Sequence, residues 1–364
     1  MQGFSENKLT YLDKEIIFNP DWLIYIYSVF ISEHITTIVN YMLNDRINFQ
    51  THPWKITMTI SPEVITLDLN FQNCKNAIAS YLIPYQNGLI LIESGPGSTQ
   101  VQLQKDLKDL GHDLQEITHV LLTHIHLDHA GAAGWLAGHG AHIYVHERGV
   151  PHMLDPSRLI ASATRIYQDQ MKNLWGDFLP VPDQQLTALT DGAEISIGSY
   201  IFRVLDTPGH ANHHMAFLLD DLCFSGDVGG VRISTQGPRH LRIPMPPPEF
   251  HPPKWRKSIE RLQNEKISKI APTHFGFFND VDWHLDTVLR ELDSVEEWML
   301  KTVPLGLQMS ELREEFVQWS SNQAKELGVT EESLDVFELA NPSGMSADGI
   351  KRYWEKYINY ESSS

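Results

Sequence analysis

The chain has 364 residues, of which 42% are hydrophobic and 20% are charged, a composition typical of a globular protein and not of a disordered one. Its formal net charge of -18 argues against a nucleic acid as partner, because binding phosphates requires a basic face. The two cysteines, Cys74 and Cys223, exclude a disulfide framework and favour a reducing, cytoplasmic location.

Residues 1–57 show no sustained hydrophobic period. Their longest apolar stretch, 22–31, is shorter than the roughly 20 residues that a membrane span needs. It also lacks the basic flank and the small-residue cleavage site of a signal peptide. We therefore expect an N-terminal extension over 1–57, without a membrane span, and a main domain that begins at Met58.

Short apolar runs bounded by glycine and proline predict strands after Met58. These strands are expected at 64–69, 77–83, 89–92, 117–122, 141–145, 200–205, 215–219, 222–225 and 267–271. Apolar residues at steps of three and four predict helices between them. The helices are expected at 101–110, 130–138, 255–262 and 281–299, with mainly helical patterns in 147–190 and in the last sixty residues. This alternation predicts an α/β architecture.

A dense cluster of potential metal ligands follows the strand predicted at 117–122. It reads His124-x-His126-x-Asp128-His129. Alternate residues of an extended chain point the same way, so His124 and His126 can converge on one metal ion. Asp128 and His129 can face a second ion after the chain turns. Imidazole and carboxylate groups are the ligands that Zn, Fe and Mn accept in proteins, so this segment predicts a metal site.

Three later motifs each contain a further potential metal ligand, a histidine or an aspartate. They are Thr207-Pro208-Gly209-His210, Phe224-Ser225-Gly226-Asp227 and Pro272-Thr273-His274-Phe275-Gly276. Together with the first cluster, they resemble the signature of the metallo-β-lactamase superfamily over roughly residues 60–300. The resemblance implies a four-layer αββα sandwich over 58–300 with the site at one edge of its two sheets, followed by a C-terminal helical extension over 301–364.

The resemblance also implies a set of ligands for two divalent metal ions, with Zn²⁺ first and Fe or Mn as alternatives. His124, His126 and His210 would hold one ion. Asp128, His129 and His274 would hold the other, and Asp227 would bridge the two.

Three further residues bear on the implied ligand set. His213 and His214 lie close enough in sequence to His210 to compete for its role. Glu93 stands where the family usually has an aspartate, which implies that it orients a ligand histidine. A surface or capping glutamate is the alternative interpretation.

The implied activity is hydrolysis of an ester, thioester or lactone in a small molecule by a hydroxide that the two metals activate, with Asp128 as the catalytic residue. Lactone-cleaving relatives usually carry a tyrosine where this chain has Gly230, and the glycine-cysteine stretch of glyoxalase II-like thiolesterases is missing after Asp227. A glyoxalase II-like thiolesterase therefore stays an alternative. Others are an iron-dependent oxidoreductase of the persulfide dioxygenase type and a metal-stabilised scaffold without activity.

Aromatic residues between the motifs are candidates for a substrate pocket with an apolar lining. They are Tyr167, Trp175 and Phe178. The proline-rich loop at 242–248 is expected to form another wall. The C-terminal helices carry no catalytic motif, and they either pack onto the sandwich or form the contact of a homodimer.

Overall fold

A computed structural model of the chain describes residues 63–233 and 238–358. The extension expected over residues 1–57, and its boundary with the main domain, lie outside the described residues. All described residues belong to one unit that begins at Glu63, so the C-terminal helices are not a separate body. Among the described helices, none combines the length and the apolar character needed to cross a bilayer.

The first sheet has six strands in the order β1-β2-β3-β4-β5-β6. The first three are antiparallel neighbours, whereas β3, β4, β5 and β6 run parallel. Their bounds are β1 Ile65–Asp68, β2 Ala79–Tyr85, β3 Gly88–Ile92, β4 Ile117–Leu121, β5 His142–His146 and β6 Leu186–Leu189. Because β3 and β4 are parallel, their carboxyl ends meet at one edge of this sheet.

The second sheet has five strands in the order β11-β10-β9-β8-β7. Only β10 and β11 are parallel neighbours. Their bounds are β7 Glu194–Ile197, β8 Tyr200–Asp206, β9 Met215–Leu219, β10 Leu222–Phe224 and β11 Lys269–Ala271. The carboxyl ends of β8, β10 and β11 therefore lie at the same edge of this sheet.

The helices of the described residues cover the outer faces of both sheets. Their bounds are α1 Gln100–Asp109, α2 Leu127–Ala130, α3 Ala133–Gly138, α4 Val150–Leu154, α5 Ser157–Tyr167, α6 Met171–Trp175, α7 Pro252–Gln263, α8 Val281–Thr302, α9 Met309–Glu326, α10 Glu331–Ala340 and α11 Ser343–Tyr353. In α8, buried residues recur at steps of three and four, as the sequence pattern predicts.

Three hydrophobic clusters show how the layers are stacked. Alternate strand residues such as Tyr81 and Phe217 fill the space between the two sheets. The other face of the first sheet packs against α1 and α3–α5, for example through Val120. The other face of the second sheet packs against α7, α8, α9 and α11, for example through Leu218. The four-layer αββα arrangement implied by the resemblance is confirmed.

The segment 147–190 is mainly helical, as predicted, with helices α4 to α6 and short 3₁₀ turns. Its last residues differ from the prediction, because they form strand β6. β6 has only four residues, of which Thr187 and Ala188 carry no strong strand signal, and it pairs with β5 alone. The sequence pattern also missed β7, a four-residue edge strand of the second sheet. Short edge strands bury few side chains, so their apolar pattern is weak.

The C-terminal helices pack onto the sandwich, as one of the two interpretations expects. Leu312, Phe316, Ala347 and Ile350 join the core behind the second sheet. Leu339, at the end of α10, packs instead against the core behind the first sheet. This segment therefore contacts both halves of the sandwich.

Candidate metal centre

The candidate ligands lie on loops that follow five strands at one edge of the two sheets. In the first sheet, Glu93 follows β3 and His124 follows β4. In the second sheet, the three later motifs follow β8, β10 and β11. Backbone hydrogen bonds join the two edges, because Met215 donates to Thr123 and Ala79 donates to Thr273, both at 2.8 Å. The sandwich thus fixes the distance between the loops that carry the site.

The first group of candidate ligands consists of His124, His126 and His210. Nε2 of His124 and Nε2 of His210 each lie 2.9 Å from Nδ1 of His126. One ring nitrogen from each residue falls within 4.8 Å of the others. Three imidazoles that point one nitrogen at a common centre form a site that a single divalent cation can occupy.

The second group consists of Asp128, His129 and His274. Oδ2 of Asp128 lies 3.5 Å from Nε2 of His129 and 3.4 Å from Nε2 of His274. The two histidines are buried, whereas the Asp128 side chain is 18% exposed. Asp128 is therefore the member of this group that solvent or a substrate can reach.

Asp227 lies between the two groups with one carboxylate oxygen turned to each. Its Oδ2 is 3.4 Å from Nε2 of His210 and 4.0 Å from Nε2 of His124. Its Oδ1 is 3.4 Å from Nε2 of His129 and 3.5 Å from Nε2 of His274. This is the geometry that a bridging carboxylate requires, and it places every candidate ligand named from the sequence in one cluster.

The outer nitrogens of the ligand histidines are fixed by acceptors behind them. His210 Nδ1 donates to the carbonyl of Pro244 at 2.8 Å, and His274 Nδ1 donates to the carbonyl of Ala77 at 2.6 Å. A ring that donates from Nδ1 presents the lone pair of Nε2 to the centre. The backbone therefore selects the tautomer that can coordinate a cation.

Glu93 supports the second group in the same way. It is buried, and its Oε1 accepts hydrogen bonds from His129 Nδ1 and from the Thr273 hydroxyl, both at 3.1 Å. The Thr123 hydroxyl also donates to Oε1, and the Thr123 backbone N–H donates to Oε2 at 3.2 Å. The interpretation as a surface glutamate is wrong. The position has a φ of 63°, a left-handed value that costs a residue with a side chain some strain.

The surroundings shift the pKa of His124 in the first group and of His129 in the second group in opposite directions. Burial and neighbouring imidazoles lower the pKa of His124 well below its usual value. Burial also acts to lower the pKa of His129, but the surrounding carboxylates raise it well above its usual value. These carboxylates belong to Asp128, Asp227 and Glu93.

The polar atoms at the centre also fit a cation. Nε2 of His129, Nε2 of His274 and Oδ1 of Asp227 are buried and have no hydrogen-bond partner within the described residues. Buried polar atoms without partners are costly unless another group satisfies them. Imidazole nitrogens and carboxylate oxygens facing one another are the donor set of a divalent transition metal.

His213 and His214 do not replace His210 in the first group. His214 is buried, and its Nε2 accepts the backbone N–H groups of Asp227 and Val228 at 3.1 and 3.3 Å. Its Nδ1 lies 2.8 Å from the hydroxyl of Thr207. His214 therefore positions the turn that carries Asp227, a role that the sequence pattern did not indicate. His213 lines the neighbouring cavity.

The turn that carries Asp227 is a single 3₁₀ turn at Gly226–Gly229. Gly226 has a φ of 50°, and a Cβ there would lie 2.5 Å from the Thr123 hydroxyl and 2.7 Å from Nε2 of His214. Only glycine fits this position. On the outer side, the indole N–H of Trp255 donates to the carbonyl of Val228 at 2.8 Å. The turn is thus held from both sides, which fixes the Asp227 carboxylate.

A cavity of about 390 Å³ opens onto the cluster and reaches Asp128, His126 and Asp227. Tyr167 and Trp175, two of the three aromatic candidates from the sequence, line it. Phe178 does not, because it is buried in the core behind the first sheet. The predicted proline-rich wall consists of Pro244 and Pro246 to Glu249, whereas Arg242 points away towards the C-terminal helices.

The C-terminal segment supplies a wall that the sequence did not predict. The cavity lining includes residues 338–342, Met345 and Ser346, from the end of α10 and the start of α11. Glu338 binds this segment to the proline-rich loop, because Nη1 of Arg242 donates to its carboxylate at 2.6 Å. Asn341 donates to the carbonyl of Ile243 at 3.3 Å. No motif indicates these contacts, because each joins residues about 100 positions apart.

A family model described as the metallo-beta-lactamase superfamily matches residues 76–274 of the chain. The match includes Glu93 and every candidate metal ligand, and it ends before the C-terminal segment that lines the cavity.

Several relatives among curated proteins share part of the chain. It is 27% identical over 185 residues to a metallo-beta-lactamase fold-containing protein, ST1585, of Sulfurisphaera tokodaii, which covers 49% of this chain and 69% of that protein. It is 32% identical over 141 residues to an atrochrysone carboxyl ACP thioesterase of Aspergillus fumigatus, and this match covers 38% of this chain and 36% of that protein. It is 32% identical over 152 residues to thioesterase pkgB of Emericella nidulans, 41% of this chain and 34% of that protein. The matches span about a third of these two thioesterases.

Two solved structures have a similar fold. The metallo-beta-lactamase family protein TTHA1429 from Thermus thermophilus aligns with a TM-score of 0.55 at 19% identity, over 80% of this chain and 93% of that chain. ST1585 from Sulfolobus tokodaii aligns with a TM-score of 0.52 at 22% identity, over 67% of this chain and 88% of that chain. At these identities, the likeness concerns the arrangement of strands and helices and leaves the substrate open.

Proposed function

The chain belongs to the metallo-β-lactamase superfamily, and we propose that it is a metal-dependent hydrolase that cleaves an ester, thioester or lactone bond in a small molecule. One observation carries this proposal. The Asp227 carboxylate turns one oxygen to each of two groups of ligand side chains, 3.4 Å from His210 on one side and from His129 on the other. A two-cation hydrolase needs this arrangement, and a single-cation or purely structural site does not.

In this proposal the two groups would hold two divalent cations, Zn²⁺ first and Fe or Mn as alternatives. His124, His126 and His210 would hold one cation, Asp128, His129 and His274 would hold the other, and Asp227 would be shared by the two groups. Cations in such a site lower the pKa of water towards ~7 and polarise a carbonyl, which supplies the nucleophile and the electrophilic assistance for hydrolysis.

The side chains of the chain itself carry out the remaining tasks. Asp128 is the only member of the second group with an accessible side chain, so it can accept a hydrogen bond from the attacking water and hold its direction. Glu93 fixes the ring of His129 and supplies negative charge behind it. The Asp227 turn, held by His214 and Trp255, keeps the carboxylate in place through the reaction.

Thioesters are the first class of substrate to test. Two of the relatives are named as thioesterases, each about 32% identical over its matched part. The cavity has an apolar and aromatic wall, which includes Phe71, Leu159 and Trp175, and this suits an acyl group of moderate size. The acyl group would lie against this wall with its carbonyl at the cluster.

The cellular setting belongs to the same proposal. Cys74 and Cys223 are both free, which agrees with a reducing compartment such as the cytoplasm. A homodimer stays a prediction, and light scattering coupled to size exclusion measures it directly.

The experiment is a hydrolysis screen of zinc-loaded protein against esters, thioesters, lactones and phosphodiesters. We expect turnover of at least one acyl class, and we expect Asp227→Ala to lower kcat by at least about 100-fold, because the metals contribute several kcal/mol of transition-state stabilisation. Asp109→Ala, an exposed change on α1, is the matched control and should leave kcat unchanged.

Metal analysis of protein purified without added metal separates the alternatives. About two zinc ions per chain, together with acyl hydrolysis, support the proposal. Stoichiometric iron with oxygen consumption would instead assign an oxidoreductase, and no metal at all would contradict both.

A further inference from the structure

The cavity contains a tyrosine hydroxyl without a strong acceptor. Tyr167 ends α5 and lines the cavity together with Asp128 and Asp227. Within residues 63–233 and 238–358, its hydroxyl donates to the thioether sulfur of Met345, at 3.7 Å, and to no other group. A thioether is a weak acceptor, so this hydroxyl can turn to a better one at little cost.

The ring of Tyr167 is held in the cavity wall by other aromatic rings. Its ring meets Trp175 edge to face with centroids 5.1 Å apart, and Trp175 stacks on Phe71 at 5.4 Å. Burial, and then the negative charge of Asp128, raises the pKa of Tyr167. The hydroxyl therefore keeps its proton at neutral pH and lies within the field of the second ligand group.

Other hydroxyls of the cavity are less suited to this task. Ser346 Oγ accepts the backbone N–H of Met245 at 3.4 Å and lies 3.3 Å from Asn341 Oδ1. Ser162 lines the cavity from α5, but it is exposed, so water can bind its hydroxyl. The loop after Asp227 offers no hydroxyl at position 230, which is a glycine with a φ of 77°.

We propose that Tyr167 is a catalytic residue whose hydroxyl donates a hydrogen bond to the carbonyl oxygen of the substrate as that oxygen becomes negatively charged. This inference rests on the proposed hydrolase function. As water adds to the carbonyl carbon, it passes a proton to Asp128, the carbonyl π pair moves to the oxygen, and the Tyr167 proton stays on its own oxygen while the hydrogen bond shortens. The pair returns when the bond to the leaving group breaks, and the leaving group takes the proton from Asp128, so both residues are unchanged at the end. A donor that is placed before the charge develops stabilises the transition state more than the substrate.

The test compares zinc-loaded wild type, Tyr167→Phe and Tyr200→Phe. Tyr200 lies on β8 in the second sheet, and its hydroxyl donates to the Pro84 carbonyl at 3.3 Å, so Tyr200→Phe removes a tyrosine hydroxyl away from the cavity. The probes are 4-nitrophenyl butyrate and S-butyryl-N-acetylcysteamine. We expect Tyr167→Phe to lower kcat by about 10- to 100-fold, at the low end of the loss seen on removing one such donor, with little change in KM.

A binding measurement gives a second readout that does not depend on turnover. Butylphosphonate is a tetrahedral anion that resembles the charged intermediate, and calorimetry gives its dissociation constant. We expect it to bind about 10-fold more weakly to Tyr167→Phe, which is roughly the contribution of one charge-assisted hydrogen bond, and equally to wild type and Tyr200→Phe.

The zinc content and the melting temperature decide between a catalytic and a structural role. A lower kcat with weaker phosphonate binding, at unchanged zinc content and melting temperature, supports the proposal. An unchanged kcat, or a loss of kcat that accompanies a loss of zinc, overturns it. If the wild type hydrolyses neither probe, the proposed function fails on these classes, and the phosphonate affinities alone decide on Tyr167.

Discussion

At the scale of single residues, Glu93 is the carboxylate on which the second ligand group depends. Its two oxygens accept hydrogen bonds from Thr123 on one loop, Thr273 on another and the His129 ring between them. One buried side chain thus connects the loop after β4 with the loop after β11. Its negative charge also strengthens His129 as a donor to a cation.

Glu93→Gln keeps the size of this side chain and removes its charge. The new amide group would face the Thr123 N–H with a donor, so one of the existing hydrogen bonds would be lost. We expect the affinity for the second zinc ion to fall by about 10- to 100-fold. A competition titration with a chromophoric chelator measures both binding steps.

The matched control for this change is Glu116→Gln. Glu116 also accepts a hydrogen bond from a histidine, His112 Nδ1 at 3.0 Å, but this pair lies at the start of β4, away from the cluster. Its zinc affinities should equal those of the wild type. If Glu93→Gln binds both zinc ions with the affinities of the wild type, the Glu93 carboxylate has no part in metal binding.

Single residues also show which parts of the candidate site a sequence pattern can predict and which it cannot. The ligand cluster is predictable because unusual residue types recur at fixed offsets after strands, as His124 and His126 do. The role of His214 is not predictable, because its partners are backbone N–H groups at 227 and 228 that only the fold brings near. The burial of Glu93 depends in the same way on two threonines that are 30 and 180 positions away.

At the scale of elements, helix α8 carries a carboxyl group whose pKa makes the stability depend on pH. Burial raises the pKa of Glu291 to about 7, against the opposing attraction of Arg242 from the proline-rich loop and Arg290 from α8 itself. The folded state therefore holds this proton to a higher pH than the unfolded state. Its contribution to stability is largest at acidic pH and declines as the pH rises towards about 7.

Glu291→Gln removes this dependence. At pH 8 we expect the free energy of unfolding to be about 1 kcal/mol higher than in the wild type, a value reduced from the full shift because the side chain is partly exposed. At pH 4 the two proteins should be about equal. Urea denaturation at several pH values measures the difference, and Glu260→Gln, an exposed change on α7, should show none. A constant difference at all pH values would point to packing instead of a proton.

The sequence pattern predicts the long helix α8 and misses the short strands β6 and β7. The apolar residues of α8 recur over six turns, so the helical period remains clear even where single positions depart from it. Strands β6 and β7 have four residues each at sheet edges, where one neighbour and a partly covered face leave little pattern to read. Their existence follows from pairing with β5 and β8, which is a contact between distant parts of the chain and not a local property.

At the scale of the whole molecule, the candidate metal centre lies where loops of both sheets meet. Each candidate cation would bind side chains from loops of both sheets, because His210 and His274 follow strands of the second sheet and the other histidines follow β4. Without cations, buried imidazoles and carboxylates face one another unsatisfied. The cations are therefore expected to stabilise the contact between the two halves of the sandwich.

Removal of the metal should lower the stability of the whole unit. A ligand at 1,000 times its dissociation constant adds about 4 kcal/mol to the free energy of unfolding, which corresponds to roughly 10 °C in melting temperature for a domain of this size. Calorimetry of chelator-treated protein, before and after zinc is restored, measures this shift. When zinc is restored to metal-free Asp227→Asn, its melting temperature should rise by less than half as much as that of the wild type. Equal melting temperatures for the metal-free and reloaded wild type would contradict a role in holding the sheets together.

The part of the cavity that comes from the C-terminal segment has a consequence for how the protein is made. A chain that has been synthesised as far as His274 already contains every candidate metal ligand, whereas Glu338, Met345 and Ser346 follow more than sixty positions later. The ribosome thus completes the ligands before the part of the cavity wall that α10 and α11 supply. Selection for a new substrate can act on the codons of this segment while the chemistry encoded before it stays intact.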